Sequence, residues 1–191
     1  MSGAAPASTR VHVLPITEAH VVRFFACLDG VARERRGLAM LEAPPLDRLQ
    51  AFVREGIVQH AAQVVAELDA PDGDGAVVGW ADAFPVAPWP TVAHVGSLGI
   101  GVRADWRGRG LGRRLLDACI ERAWAAGLTR ISLAARADNL GAIRLYEAAG
   151  FRHEGRRRGA MRFDGIDHDT VVMGLLCTDP RPGTPPPQKG D

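Results

Sequence analysis

Arg107-Gly108-Arg109-Gly110-Leu111-Gly112 lies between an apolar run, His94 to Val102, and a stretch of helical periodicity, Leu111 to Ala126. Glycines alternating with arginines where a strand meets a helix let the backbone turn tightly and point several N–H groups the same way, which makes an anion-binding nest. The positive end of the following helix dipole is aimed at the same place. The stretch therefore predicts a strand, loop and helix that hold a pyrophosphate through backbone donors, with arginines as counter-ions. Taken alone it also fits a Gly-rich surface turn.

Two common phosphate motifs do not fit. A P-loop ends in Gly-Lys-Ser/Thr, and the only lysine is Lys189, close to the C-terminus. A dinucleotide fingerprint needs Gly-x-Gly-x-x-Gly directly after a strand and an acid about 20 positions on. Here the spacing is Gly-x-Gly-x-Gly, the charged segment Arg103 to Arg107 intervenes, and the next apolar run, Arg130 to Ala135, carries no acid.

A second stretch lies downstream: Asn139-Leu140-Gly141-Ala142-Ile143-Arg144-Leu145-Tyr146-Glu147-Ala148-Ala149-Gly150-Phe151. With the loop above, it resembles the GCN5-related N-acetyltransferase (GNAT) superfamily. Arg107-x-x-Gly110-x-Gly112 matches that family's pyrophosphate loop, and Asn139-x-x-Ala142-x-x-Leu145-Tyr146-x-x-x-Gly150-Phe151 its second cofactor motif. The resemblance rests on motifs only from His94 to Phe151; as a pattern of elements it runs from about Val11 to Leu176.

Composition bounds the other functions. A chain of 191 residues with 47% hydrophobic and 24% charged content can bury a substantial core, and its length favours one domain. A net charge of +1 speaks against a general polyanion binder, so no nucleic-acid partner is expected. Cys27, Cys119 and Cys177 are odd in number and form no Cys-x-x-Cys pair, which indicates neither a disulfide framework nor a metal site. No apolar run reaches the roughly 20 residues that span a bilayer, and Met1 to Arg10 lacks a signal-peptide core. A cytoplasmic protein with reduced thiols and no membrane partner is the expectation.

The chain divides into a loose tail at 1–10, one domain at 11–178, and a Pro-rich tail at 179–191 expected to be disordered. Within the domain, Val11 to Ile16 reads as a strand. Helices follow at Glu18 to Asp29 and, after the breaker Pro44-Pro45, at Leu46 to Gln59. Gln63 to Leu68 and Ala76 to Phe84 read as a hairpin around Asp69 to Gly75. In the central helix Leu111, Leu115, Cys119 and Ala123 recur every four residues, so Cys119 is a core residue, and Gly127 is the stop. Strand Arg130 to Ala135, helix Leu140 to Ala149 and a hairpin, Gly155 to Phe163 and Asp169 to Leu176 around Asp164-Gly165, complete the domain. The order β-α-α-β-β-β-α-β-α-β-β makes an α/β fold. The resemblance implies a mixed, mostly antiparallel central sheet flanked by helices.

The resemblance also implies acetyl-CoA as donor and an amine as acceptor, a small molecule in preference to a protein, with a second copy of the chain as a candidate partner. Gly96, Gly99 and Gly101 weaken a regular strand and permit a bulge, so that backbone groups of Ile100, Gly101 and Val102 pair with the donor's pantetheine arm. Arg107, Gly108, Arg109, Gly110, Leu111, Gly112 and Arg113 would then cradle the pyrophosphate. Asn139 has a plain role as N-cap and, by analogy, touches the donor as well. Tyr146, the only tyrosine, matches the family position that protonates the departing thiolate, for which a phenol of reference pKa near 10 is still protonated. No acid stands at Ala134, Gly96 or Ser97, where relatives often carry the base. His94 and Asp82 remain as candidates for it, and a non-catalytic acyl-CoA-binding regulatory module is the alternative reading.

Overall fold

The computed structural model describes residues 10–70 and 75–181. The tips expected to be loose, at 1–9 and 182–191, and the hairpin loop at 71–74 lie outside the described residues. The chain is placed beyond the expected boundary at 178. Leu176 donates its backbone N–H to Asp179 at 2.9 Å, and Arg181 reaches Asp117 on the central helix at 2.6 Å.

The strands are β1 (Val11–Pro15), β2 (Ala62–Leu68), β3 (Val77–Pro85), β4 (Val95–Val102), β5 (Arg130–Arg136), β6 (Arg152–Phe163) and β7 (Ile166–Leu176). The helices are α1 (Val21–Arg33), α2 (Leu46–Val58), α3 (Leu111–Ala125) and α4 (Leu140–Ala148). One sheet of order β1-β2-β3-β4-β5-β7-β6 carries the fold, antiparallel at every junction except β4 with β5.

Period-two alternation sends one set of strand residues to each face. Val64, Ala66, Val78, Ala81, Ile131, Leu133 and Leu175 pack against α3 and α4, around Leu115, Leu116, Cys119 and Ile120, which are wholly buried. Each Val, Leu or Ile among them contributes about 1.5–3 kcal/mol by leaving water. On the other face Val65, Val77 and Trp80 meet Phe24, Leu28 and Val31 of α1 and Leu49 and Val53 of α2. These helices lie mainly over β2 and β3, with α1 also touching β4, and Ser97 on β4 and Ala134 on β5 are exposed on that same face. The α3–α4 side buries residues of β2 to β5 and β7, β6 is exposed along most of its length, and the α1–α2 side leaves an open floor over β4 and β5.

Candidate functional site

The parallel junction of β4 and β5 is short. Val95 pairs with Arg130, Gly96 with Ile131 and Ser97 with Ser132, and there it ends. Beyond it β4 stays with β3 as far as Val102, while β5 stays with β7 as far as Arg136. The two strands part, and among the described residues no strand pairs with the β5-facing edge of Leu98 to Val102, about 16 Å long. A backbone edge without a strand partner is a ladder awaiting one.

No bulge produces this edge. The register of β3 against β4 runs without a shift from Gly79–Val102 to Pro85–Gly96, which corrects the bulge expected from the strand glycines. The glycines make room for side chains instead. A Cβ on Gly101 would stand 2.2 Å from the Trp80 ring, one on Gly99 2.9 Å from Asp82 Oδ1, and one on Gly96 2.7 Å from Leu128.

The gap leads into a cleft of about 740 Å³ between the sheet, the N-termini of α3 and α4, and the loop after α1. Ile100, Gly101 and Val102 form its β4 wall, and Ala134, Ala135 and Arg136 its β5 wall. At its far end Gly108 and Gly110 adopt left-handed conformations, φ +72° and +74°, with open space around both. Gly110 is the N-cap of α3, so the first-turn N–H groups of Leu111, Gly112 and Arg113 have no intrahelical acceptor. All of these line the cleft, as does Arg107, whose Nε–H donates to the Val102 carbonyl at 2.8 Å. Arg113 is tied to Asp117 at 2.6 Å and to the Ala148 carbonyl at 2.8 Å. Arg109 is not on the wall: it lies over the Trp106 ring, 4.8 Å from its centroid.

Asn139 caps α4, its Oδ1 accepting from the Ala142 N–H at 3.2 Å, and its side chain also faces the cleft. Tyr146, on the buried face of α4, borders the cleft beside Leu145 and packs its ring 5.9 Å from Phe151. Burial pushes its phenol up to about 12, so the hydroxyl stays protonated at any physiological pH. His94 is not brought to this place. It is exposed in the turn before β4, at the opposite end of the strand from Ile100, and its carbonyl receives the N–H groups of Thr129 and Arg130. Its imidazole therefore has no part in the cleft.

The family model for the acetyltransferase (GNAT) family matches residues 34–151, which spans the glycine turn before α3, both parted strands and α4. The chain belongs to the GNAT family. A ribosomal protein bS18-alanine N-acetyltransferase of Salmonella typhimurium is 37% identical over 76 residues, 40% of this chain and 51% of that protein. An L-methionine sulfoximine/L-methionine sulfone acetyltransferase of Pseudomonas aeruginosa is 37% identical over 97 residues, 51% of this chain and 56% of that protein. The chain thus spans about half the length of these curated relatives. A GNAT phosphinothricin acetyltransferase from Sinorhizobium meliloti, solved with acetyl-CoA, superimposes with a TM-score of 0.78 at 17% identity, covering 94% of each chain. That last likeness is one of fold.

Some cleft residues of this GNAT chain had no local signal. Glu34, inside the charged run Arg33 to Arg36, grips Arg107 with both carboxylate oxygens, at 2.7 and 2.8 Å. Arg35 pairs with Asp164 in the β6–β7 turn, and the Arg35 carbonyl accepts from Arg136 at 3.2 Å. The segment after α1 is thereby a strap from the glycine turn before α3 to the β6–β7 hairpin. Read along the sequence, the run Arg33 to Arg36 is a solvated charged face or, through one of its arginines, a fork for the carboxylate of an acceptor, and nothing in it points to a tie with Arg107.

Proposed function

We propose that the protein is an N-acetyltransferase that takes acetyl-CoA as donor and a small-molecule amine as acceptor. The parting of β4 from β5 beyond Ser97 and Ser132, ending at the left-handed glycine turn before α3, carries this reading. It offers an amide-bearing arm a free strand edge and offers a pyrophosphate an N–H nest in line with that edge. The relatives named above support the chemistry, and one of them acts on an amino-acid derivative. The strap from Glu34 to Leu38 supports a small acceptor, because its ties to Arg107 and Asp164 narrow the approach over the sheet.

The donor supplies a thioester carbonyl. Backbone groups of Ile100 to Val102 orient the arm, and Arg107 and the first turn of α3 neutralise the pyrophosphate. A backbone N–H of the β4 edge stabilises the oxyanion, and the Tyr146 hydroxyl donates a hydrogen bond to the sulfur as it departs. Incubating the chain with acetyl-CoA and a panel of amino acids, polyamines and peptide N-termini, with mass spectrometry of the products, tests the reading. Acetylated small amines are the expected result. Acetyl-CoA binding without consumption of any amine refutes turnover and leaves an acyl-CoA-binding regulatory module.

A further inference from the structure

We propose that Asp82 accepts the proton that the acceptor amine must lose before it attacks, an inference that rests on the acyl-transfer reading above. Asp82 is the register partner of Gly99, two residues past the last β4–β5 pair. Gly99 has no side chain, and both carboxylate oxygens lean over it, 2.9 and 3.2 Å from where its Cβ would be. The carboxylate therefore overhangs the apex of the gap from the β3 side.

The two faces of the sheet divide the work. Tyr146 belongs to the α3–α4 face, packed with Ile143, Ala135 and Leu133. Asp82 belongs to the other face, between Trp80, which meets Phe24 of α1, and Phe84, which meets Phe52 of α2. That is also the face on which Ser97 and Ala134 are open to solvent. An amine arriving over this floor meets Asp82 on one side of the gap while the leaving sulfur meets Tyr146 on the other. The positions nearest the gap, Gly96, Ser97 and Ala134, carry no acid, and the neighbouring strand supplies one.

The surroundings suit a base that works near neutrality. Burial pushes the Asp82 carboxyl up to about 7, and the Trp80 indole N–H, which hydrogen-bonds the ionised form, acts in the opposite sense. Gln63, its partner on β2, and Gly99 and Ser97 of β4 are neutral. Phe24 and Phe52 bring no charge from α1 and α2. From α3, the titratable group within electrostatic reach is Cys119, which burial keeps protonated. The steps balance. One N–H proton of the ammonium passes to the Asp82 carboxylate, and the freed lone pair forms the C–N bond at the thioester carbonyl. The C–S bond then breaks, the thiolate, hydrogen-bonded by Tyr146, takes its proton from solvent, the nitrogen sheds its remaining excess proton, and Asp82 returns its own to water.

The test is the pH profile of kcat/KM for the best amine of the panel, from about pH 5 to about pH 9, together with acetyl-CoA affinity by calorimetry. The wild-type chain should lose rate below about pH 7 along a one-proton limb. Asp82→Asn should keep the acetyl-CoA affinity, lose about 10²- to 10⁴-fold in rate, and follow only the free-amine fraction as pH rises. Trp80→Phe removes the N–H that favours the carboxylate, so its limb should move to higher pH, which decides the matter if the asparagine variant does not fold. An Asp82→Asn enzyme with full rate and an unchanged limb, or a Trp80→Phe limb that does not move, overturns the role of Asp82 alone. Wild-type protein that binds acetyl-CoA but turns over no amine overturns acyl transfer, and this role with it.

Discussion

Replacing Tyr146 by phenylalanine removes one hydroxyl from the cleft wall and leaves the ring against Phe151. Among the described residues nothing hydrogen-bonds that hydroxyl, and burial alone raises the phenol to about 12. Against a leaving thiol of reference pKa about 8.5, complete proton transfer from such a phenol is uphill by about 3.5 units, or roughly 5 kcal/mol. In the proposed reaction Tyr146 therefore acts by hydrogen-bonding the sulfur as charge grows on it, and solvent completes the protonation. A hydrogen bond to a charged partner is worth about 1.5–3 kcal/mol, which corresponds to a fall in kcat of about 10- to 150-fold in Tyr146→Phe. Stability should change by less than about 0.5 kcal/mol, since no partner is stranded. The measurement is kcat at saturating amine, with a pre-steady-state trace showing that chemistry limits turnover, beside acetyl-CoA calorimetry and denaturant unfolding. The phenol ionises far above the working range, so the wild-type profile should show no basic limb from Tyr146 below about pH 10. An unchanged kcat under chemistry-limited conditions, or a basic limb at lower pH that disappears in the phenylalanine variant, would refute this account of Tyr146.

Other outcomes follow from the pyrophosphate end. Gly110 has φ +74° and nothing within 4 Å of an added Cβ, so Gly110→Ala meets backbone strain alone. It should cost about 1–2 kcal/mol, and CoA affinity should fall about tenfold as the turn abandons its nest; unchanged calorimetry with an intact fold would dismiss the nest. The Glu34 carboxylate occupies the same guanidinium of Arg107 that a phosphate needs. This half-exposed pair is worth no more than about 1 kcal/mol, so Glu34→Gln should tighten CoA binding by up to about fivefold, whereas weaker binding would mean that Glu34 aims Arg107 at the ligand.

Features that depend on a few neighbouring residues were legible in the chain. The stripe Leu111, Leu115, Cys119 and Ala123 is buried as its period requires. Asn139 caps α4, and Asp164-Gly165 turns the last hairpin with both residues at positive φ. The Gly-rich turn places its left-handed residues at Gly108 and Gly110, because only a residue without Cβ adopts that backbone freely. The strand glycines misled, since composition cannot tell a bulge from a space filled by another strand's side chain. Trp80 and Asp82 fill those spaces at Gly101 and Gly99.

Residue type alone put His94, whose imidazole has the intrinsic pKa of a base, ahead of Asp82. The paired register separated them, setting His94 in an exposed turn at the far end of β4 and Asp82 over the point where β4 leaves β5. Sequence by itself determined the order of elements and the left-handed glycine turn before α3, because backbone conformation and side-chain period are local. The parting of β4 from β5, the strap from Glu34 to Arg107 and the raised carboxyl of Asp82 were decided only by tertiary structure. Each depends on which distant segments exclude water from, or lend charge to, the same few ångströms.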